Sequence, residues 1–311
     1  MTDSFWHDDA ITTIADDELG RENYAEAAAN LIARSHTWDS SLVFGLTGPW
    51  GSGKSSLIAM IVETLEKNHK DWAIAHFTPW AASDLSSLLA EFYGSLARAL
   101  PPKRGIDLRR SFGRLASIAA PAASLIPLAG GAAESALKMT GDALSSSPPW
   151  DAAFKEASRR MRDLGIPVLV IADDIDRLQP DELLALLKVV RLLGRFPGVQ
   201  YLLAYDDQTL FGQLNGSDRL AAYGADYMEK IVQYPLTVPP LLQYQLISRI
   251  NDGILRVFQK LERPVLEPGR QSSASELIRN HLRTPRAIER FLAQLRHHLP
   301  LVPHDEMMTE M

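Results

Sequence analysis

Short apolar runs alternate along this chain with longer segments in which apolar residues recur every three or four positions. The runs are rich in β-branched residues, which is typical of buried strands. They cover residues 42–47, 73–77, 168–172, 199–205 and 231–238. The longer segments predict helices near 54–67, 84–99, 152–163, 181–195 and 208–230. Because strands and helices alternate, we predict an α/β fold with a parallel sheet and helices on both of its faces.

The pattern changes after Pro239 and Pro240, where the predicted strands stop. Helical periodicity continues near residues 241–261, 274–281 and 285–298. We therefore predict two domains, a sheet-containing core at residues 1–240 and a small C-terminal helical lid domain at residues 241–311.

Residues 101–150 interrupt the alternation and are predicted to form a helical insertion in the core. The insertion begins with the basic residues Lys103, Arg104, Arg109, Arg110 and Arg114. The apolar stretch 115–133 approaches the roughly 20 residues that a membrane-spanning helix needs, but Pro121 and Pro127 interrupt it. We expect a helical hairpin that packs on the core or on a partner protein, with at most a peripheral membrane contact.

The composition is that of a globular protein, with 46% hydrophobic residues. The sequence has no cysteine, which removes disulfides and thiolate zinc sites and fits a reducing compartment. Its acidic start, MTDSFWHDDA, differs from a signal peptide, so we expect a cytoplasmic protein. The net charge of −6 argues against a general affinity for nucleic acids, although it leaves room for a local basic patch.

A glycine-rich break between the first predicted strand and the next helix carries the clearest chemistry. The segment GPWGSGKS at residues 48–55 fits G-x-x-x-x-G-K-[ST], the phosphate-binding loop. We predict that Lys54 reaches the β- and γ-phosphates and that the Ser55 hydroxyl ligates Mg²⁺. The alternative is a glycine-rich turn without a ligand. The predicted nucleotide-contacting residues of this segment are Gly48, Pro49, Trp50, Gly51, Ser52, Gly53, Lys54, Ser55 and Ser56.

A pair of acids at the end of a later strand, in VLVIADDIDRL, is placed to complete such a site. We predict that Asp173 contacts the metal and that Asp174 orients and deprotonates the attacking water. The alternative is that both acids serve the amino terminus of the helix that begins near Pro180. Arg177 is predicted to be an ion-pair partner of these carboxylates rather than a catalytic residue.

The next strand also ends in polar residues, Tyr205, Asp206 and Asp207. One of them could sense the γ-phosphate, or the acids could cap the following helix. The guanine-binding pattern N-K-x-D is absent from the sequence. We therefore predict adenine as the nucleotide base.

Several stretches together resemble the KAP family of P-loop NTPases, named for the Kidins/ARMS and PifA proteins. They are DDELGRENYAEAAANLIA, TGPWGSGKSSL, FTPW, ADDIDRL, LLAYDD, YMEKIVQYPLTVPP and RTPRAIERFL. The resemblance implies an AAA-like ATPase core with an additional strand and a C-terminal helical lid. Membrane-spanning helices are common in the family between the phosphate loop and the metal carboxylates, but the insertion here is short.

The resemblance also implies roles for residues outside the phosphate loop. Leu19, Gly20 and Arg21 would lie beside the adenine, and Arg286 would reach the γ-phosphate from the lid. Lys230 is the cation nearest to the place where AAA-like relatives carry an arginine finger. The alternatives are a solvated arginine at a helix start for Arg286 and a lysine favoured by the helix dipole for Lys230.

These features predict a Mg²⁺-dependent ATPase that acts as a nucleotide-driven switch or assembly ATPase. Some members of the family are linked to the exclusion of bacteriophage, so the resemblance also implies a role in antiviral defence. We expect a homo-oligomer, or a partner protein bound through the lid or the insertion. The alternatives are an ATP-binding scaffold without turnover and a phosphotransferase acting on a small acceptor.

Overall fold

The structure of the protein is a computed structural model. The described residues are 9–82, 85–102, 105–123, 148–193, 195–216, 224–261 and 281–301.

Five strands form one sheet in which every neighbouring pair is parallel. They are β1 (Val43–Thr47), β2 (Ala73–Phe77), β3 (Val168–Ala172), β4 (Val199–Tyr205) and β5 (Tyr234–Thr237). The predicted strands are confirmed, although β5 is shorter than the predicted 231–238. It begins later because Ile231 still belongs to the preceding helix.

The order of the strands is β2-β3-β4-β1-β5. Strand β4 therefore lies between β1, which leads into the glycine-rich loop, and β3, which leads into the acidic pair. This is the additional strand of the predicted AAA-like core. Because all five strands run in the same direction, the carboxyl ends of β1, β3 and β4 meet at one edge of the sheet, where ligands bind in open α/β sheets.

Ten α-helices are present in the described residues. They are α1 (Glu22–Arg34), α2 (Lys54–Asn68), α3 (Leu85–Ala99), α4 (Ile106–Ala123), α5 (Pro148–Leu164), α6 (Pro180–Lys188), α7 (Asp207–Gly216), α8 (Gly224–Ile231), α9 (Gln243–Lys260) and α10 (Pro285–His298). Two predictions differ in detail. The helix predicted at 181–195 changes into a π-helical turn at Val189–Leu193, and the one predicted at 208–230 is described as α7 and α8.

Each face of the sheet is covered by helices, as the alternation predicts. Leu202 and Ala204 of β4 belong to the buried core beneath α1 and α2. Tyr201 and Leu203 point to the opposite core, which α3, α4, α5 and α6 complete. All residues of β1, β3 and β4 are buried, which explains why these strands read as continuous apolar runs.

Part of the insertion belongs to the core. Leu108, Phe112 and Leu115 of α4 are buried in the same cluster as residues of α3 and α5. The second arm of the predicted hairpin lies in residues 124–147, outside the described residues, as does most of the apolar stretch 115–133. In the described part of the chain, helices of the length and apolarity needed to cross a bilayer are absent.

The lid is described by α9 and α10, which pack on each other through Leu246, Ile250 and Ile288. A second small cluster joins Val257 and Phe258 of α9 to Leu299. Apart from His281, the helix predicted at 274–281 lies outside the described residues. The boundary between residues 240 and 241 stays a prediction.

Candidate nucleotide-binding site

The glycine-rich loop connects β1 to α2 at the carboxyl edge of the sheet. Gly51 and Gly53 have φ angles of 77° and 95°, which side chains with a Cβ rarely adopt. A Cβ at Gly51 would lie 2.8 Å from the Cβ of Arg286, and one at Gly48 would lie 2.8 Å from the Ser52 Oγ. Backbone conformation therefore requires glycine at positions 51 and 53, and close packing requires it at positions 48 and 51.

Lys54 is the first residue of α2 and its side chain is turned back into the loop. Only 5% of the residue is exposed, and its Nζ donates a hydrogen bond to the Gly48 carbonyl oxygen at 2.9 Å. The Pro49 carbonyl oxygen lies 3.5 Å from the same nitrogen. The loop thus carries a buried positive charge at the amino terminus of a helix, an arrangement that favours phosphate groups.

Ser55 and Asp173, which are 118 positions apart in the sequence, meet at the end of the sheet. The Ser55 hydroxyl donates to the Asp173 Oδ2 over 2.6 Å, and the Asp174 backbone N–H donates to the Asp173 Oδ1 over 2.8 Å. Burial raises the pKa of Asp173, while the hydrogen bond from Ser55 opposes this increase. A hydroxyl and a carboxylate side by side are a suitable oxygen donor set for Mg²⁺.

This pair fits Mg²⁺ when phosphate oxygens and water supply the remaining ligands, as is usual for that ion. Groups of three or more His, Cys, Asp or Glu side chains arranged for a metal are absent from the described residues. A metal bound by protein groups alone is therefore not supported there.

Asp174 has an unusual conformation and a close cationic partner. Its φ angle is 55°, the only positive value for a non-glycine residue in the described ranges. Its Oδ2 lies 2.8 Å from the Arg177 Nη2, which confirms the predicted ion pair. The acids do not cap α6, because Gln179 and Glu182 form a capping box there and the Gln179 N–H donates to the Glu182 carboxylate.

The acids that follow β4 contact the phosphate loop. The carboxylate of Asp206 accepts hydrogen bonds from the backbone N–H of Trp50 and of Gln208, each at 3.0 Å. Asp206 therefore caps the start of α7, as the alternative holds, and also supports the loop. Burial raises the pKa of Asp207, and a hydrogen bond from the Thr47 side chain opposes this increase.

Asp176, which has no predicted role, is buried at the edge of this cluster. Only 6% of the residue is exposed, and its Oδ1 has no hydrogen-bond partner in the part of the chain that the structure describes. Burial raises its pKa, while the Asp206 backbone N–H and the charge of Lys54 oppose this increase. Asp176 is the third acid of the DDID segment, and this clustering of acids was the sequence signal that could have pointed to it. The sequence does not show that Asp176 is buried, because its burial depends on how whole elements pack.

Arg286 reaches the phosphate loop from the first turn of lid helix α10. Its guanidinium carbon lies 4.6 Å from the centroid of the Trp50 ring, within the range of a cation–π interaction. Its backbone N–H donates to the Gly51 carbonyl oxygen at 3.4 Å. The alternative of a fully solvated arginine does not describe this contact.

The predicted adenine-side residues lie between the phosphate loop and α9. The Arg21 guanidinium donates to the Ser52 and Pro239 carbonyl oxygens, both at 2.6 Å, and is therefore beneath the loop. The Leu19 carbonyl oxygen accepts a hydrogen bond from Gln245 at 3.4 Å, and Gly20 has a φ of 66°. Their contact with a base stays a prediction. The Ser56 hydroxyl accepts a hydrogen bond from the Ile11 N–H at 3.3 Å.

Lys230 lies far from the loop of its own chain. It is exposed in the last turn of α8, and Gln233, three residues later, donates its backbone N–H to Val43 at the amino end of β1. Val43 begins β1 and the phosphate loop follows its other end, five residues later. Because a strand rises about 3.3 Å per residue, Gln233 lies roughly 15 Å from the phosphate loop. A role of Lys230 in catalysis would therefore require the site of another copy.

Known proteins resemble this chain in sequence and in fold. It is 23% identical to the Phage T7 exclusion protein of Escherichia coli over an alignment of length 283, and the match covers 82% of this chain and 37% of that protein. The chain thus spans well under half of that relative. The Aeropyrum pernix ORC2 protein, solved in ADPNP–ADP complexes, is similar at 16% identity and a TM-score of 0.45, covering 98% of this chain and 68% of that one.

The Drosophila ORC structure bound to DNA is also similar, with 9% identity, a TM-score of 0.49, and coverage of 94% of this chain and 59% of the other. The model of the KAP family P-loop domain matches residues 21–302. This match includes the phosphate loop, the acidic pair, the strand between them and the lid helices. The chain belongs to the KAP family of P-loop NTPases.

Proposed function

We propose that this protein binds ATP with Mg²⁺ and hydrolyses it. The observation that carries the proposal is the 2.6 Å contact between Ser55 and Asp173 beside the buried Lys54. A P-loop NTPase needs these three groups within reach of one Mg²⁺–triphosphate. The sheet order supports this arrangement because a single strand separates the two loops that carry them.

Each group in the proposal has one task. Lys54 contacts the β- and γ-phosphates, and Ser55 and Asp173 hold Mg²⁺. Mg²⁺ held there would offset the negative charge that develops on the phosphate oxygens. Asp174 orients the attacking water and accepts its proton, and Arg286 contacts the γ-phosphate from the lid. In this proposal the core binds the phosphates and Mg²⁺, and the lid senses the nucleotide through Arg286.

A non-hydrolysing ATP-binding scaffold is the second candidate, and the ion pair of Asp174 with Arg177 favours it. The Asp174 Oδ2 lies 2.8 Å from the Arg177 Nη2, so this ion pair engages the carboxylate that would otherwise contact the attacking water. Under this alternative the chain binds ATP and Mg²⁺ without releasing phosphate. Under the ATPase proposal, the ion pair between Arg177 and Asp174 breaks when nucleotide is bound, and the Asp174 carboxylate then contacts the attacking water.

We further propose that nucleotide changes an assembly, with antiviral defence in the cytoplasm as its setting. The supporting observation for defence is the relative named as a phage T7 exclusion protein, of which the chain covers 37%. Lys230 bears on the assembly, because a catalytic role for it would require the site of a neighbouring copy; its place in the last turn of α8 equally fits a lysine favoured by the helix dipole. Lysine lacks the planar fork of arginine, so its contribution to that site is smaller than that of an arginine finger.

The proposal is tested by measuring molar mass and phosphate release with and without ATP on the same samples. ATP-dependent association with steady phosphate release supports an assembly ATPase. Binding without phosphate release supports the scaffold, and consumption of ATP only after an acceptor is added supports the phosphotransferase. No change in mass and no nucleotide binding contradict the proposal.

A mixing experiment tests whether the site is shared between copies. Lys54→Ala removes the phosphate contact, while Lys230→Ala removes only the cation offered to a neighbour. If sites are shared, a mixture of the two variants is more active than the sum of the separate variants. Specific activity that does not depend on mixing or on protein concentration contradicts a shared site.

A further inference from the structure

A short segment before α1, residues 17–21, lies between the phosphate loop and the lid, and we call it the clasp. The Asp17 carboxylate accepts backbone N–H bonds from Leu19 at 3.0 Å, from Arg21 at 2.5 Å and from Glu22 at 3.0 Å. Gly20 adopts a φ of 66°, which allows the chain to turn tightly before α1 begins. The clasp is thus a defined turn rather than an extended arm.

The clasp reaches the core through one buried side chain. The Arg21 guanidinium donates from Nη1 to the Ser52 carbonyl oxygen and from Nη2 to the Pro239 carbonyl oxygen, each over 2.6 Å. Only 6% of Arg21 is exposed, and burial lowers its pKa, while the charge of Asp17 opposes this decrease. The rigid fork of a guanidinium can bond two separate carbonyls at once, which an ammonium cannot do with the same geometry.

These two carbonyls belong to parts of the molecule with different tasks. Ser52 lies in the phosphate loop, next to Gly53, where a Cβ would come within 2.9 Å of the Arg21 Nη1. Pro239 lies two residues after the end of β5 and precedes the lid helix α9. Arg21 therefore fixes the distance between the phosphate loop and the point at which the chain leaves the core for the lid.

The clasp also reaches the lid helices themselves. The Arg249 guanidinium of α9 pairs with Glu18 at 2.7 Å and with Glu289 of α10 at 2.8 Å. The side chain of Gln245 donates to the Leu19 carbonyl oxygen at 3.4 Å. One five-residue turn is thus bonded to the phosphate loop, to the start of the lid and to a lid helix.

We propose that the clasp couples the phosphate loop to the lid, with Arg21 as the positioning residue of this coupling. A displacement of the loop on nucleotide binding moves the Ser52 carbonyl, and Arg21 carries this movement to Pro239. Glu18 and Arg249 transmit it to the lid helices. The inference rests on the proposed function in taking nucleotide as the ligand of the loop, whereas the mechanical link itself depends only on the contacts described above.

The first test compares Arg21→Lys with Arg34→Lys, a matched substitution at an exposed position in the last turn of α1, the helix that follows the clasp. Arg21→Lys keeps the positive charge and loses the fork, so one of the two carbonyl contacts is lost. We expect ATP binding to weaken about tenfold in Arg21→Lys and to stay unchanged in Arg34→Lys. Fluorescent ATP titration provides the dissociation constants.

The second test measures the distance between core and lid. The sequence has no cysteine, so spin labels can be attached at Glu66→Cys on α2 and Gln259→Cys on α9, both exposed positions. We expect one narrow distance distribution that shifts when ATP is added. In Arg21→Lys the distribution should broaden without nucleotide and lose its shift with ATP. Arg249→Gln should lose the shift while it keeps the affinity for ATP.

The distance distribution decides the proposal. An Arg21→Lys protein with the distribution and ATP response of the unaltered chain overturns the coupling, even if its melting temperature or ATP affinity falls, because Arg21 is then only structural. If the unaltered chain binds no ATP, the proposed function fails. The nucleotide-free distributions of the unaltered chain and of Arg21→Lys still decide whether the clasp holds the lid.

Discussion

The two halves of the candidate site are held together by different forces. In the core half, Asp173 and Asp206 follow the ends of buried strands. Asp173 accepts a hydrogen bond of 2.6 Å from Ser55, and Asp206 accepts one of 3.0 Å from the backbone N–H of Trp50 in the phosphate loop. In the lid half, the contacts of Arg286 with the loop include a long hydrogen bond of 3.4 Å from its backbone N–H and a ring contact of 4.6 Å. The core half is therefore preorganised by short hydrogen bonds, whereas these contacts between Arg286 and the loop are longer and weaker.

Burial explains this difference. Every residue of β1, β3 and β4 is buried, so a displacement of their ends would disturb a close-packed interior. In α10, by contrast, Ile288 is the buried residue of the helix. Elements with few buried apolar contacts are those that move during binding. The molecule thus joins a closely packed sheet edge, which carries the phosphate loop, to a pair of helices with few buried residues.

The largest effect is expected in the core half. Lys54→Ala removes a buried ammonium from the phosphate loop and should weaken ATP binding by about a hundredfold or more. Lys67→Ala, at an exposed position of the same helix, is the matched control and should bind ATP normally. Calorimetric titration measures both. Equal ATP affinities for Lys54→Ala and Lys67→Ala would mean that the phosphates do not bind at this loop.

The next effect separates binding from chemistry within the core half. Asp174→Asn should keep ATP and Mg²⁺ but lose turnover by roughly a hundredfold or more, since a general base contributes about this much. Phosphate release and ATP titration on the same preparation measure the two quantities. If Asp174→Asn hydrolyses ATP normally while Asp173→Asn does not, the base is Asp173 and the assignment is wrong by one residue.

A smaller effect is expected where the lid meets the loop. Trp50→Ala removes the ring beneath Arg286, and because a cation–π contact contributes about 0.5–2 kcal/mol, KM for ATP should rise about two- to thirtyfold. Trp50→Phe keeps a weaker aromatic face and should give an intermediate KM. Steady-state kinetics at varied ATP concentration distinguish them. Identical KM values for all three proteins would show that the stack does not position Arg286.

The sequence predicts the core half far better than the lid half, for a physical reason. A buried strand and a phosphate loop are specified by neighbouring residues, so the positions of β1, β3, Lys54 and Asp173 follow from local patterns. The contact of Arg21 with Pro239 joins residues 218 positions apart, and it depends on how complete elements pack. The left-handed backbone of Asp174 likewise has no local signal, because aspartate adopts this conformation only occasionally.

The smallest effect concerns stability at the core edge. Burial raises the pKa of Asp176, so the folded chain holds this proton more strongly than the unfolded chain. Its contribution to stability is therefore greatest below the unfolded pKa of about 4 and is lost as the pH rises through the folded pKa. Asp176→Asn should be slightly more stable than the unaltered chain at pH 7, and this difference should shrink towards pH 4.

Urea denaturation across this pH range measures the difference in unfolding free energy. Asp181→Asn, in the first turn of α6, is a control at an acid whose stability contribution does not depend on this cluster. A stability difference for Asp176→Asn that stays constant with pH would contradict the assigned ionisation. A loss of stability at pH 7 would show that the carboxylate is needed by its neighbours.

The central claim is that Ser55 and Asp173 hold Mg²⁺ for ATP hydrolysis on the rigid edge of the sheet. The most direct measurement is phosphate release by the unaltered chain and by Asp173→Asn, each with Mg²⁺ and with EDTA. The account predicts release by the unaltered chain in Mg²⁺ alone, and its loss in EDTA and in Asp173→Asn. Equal release under all four conditions would contradict it.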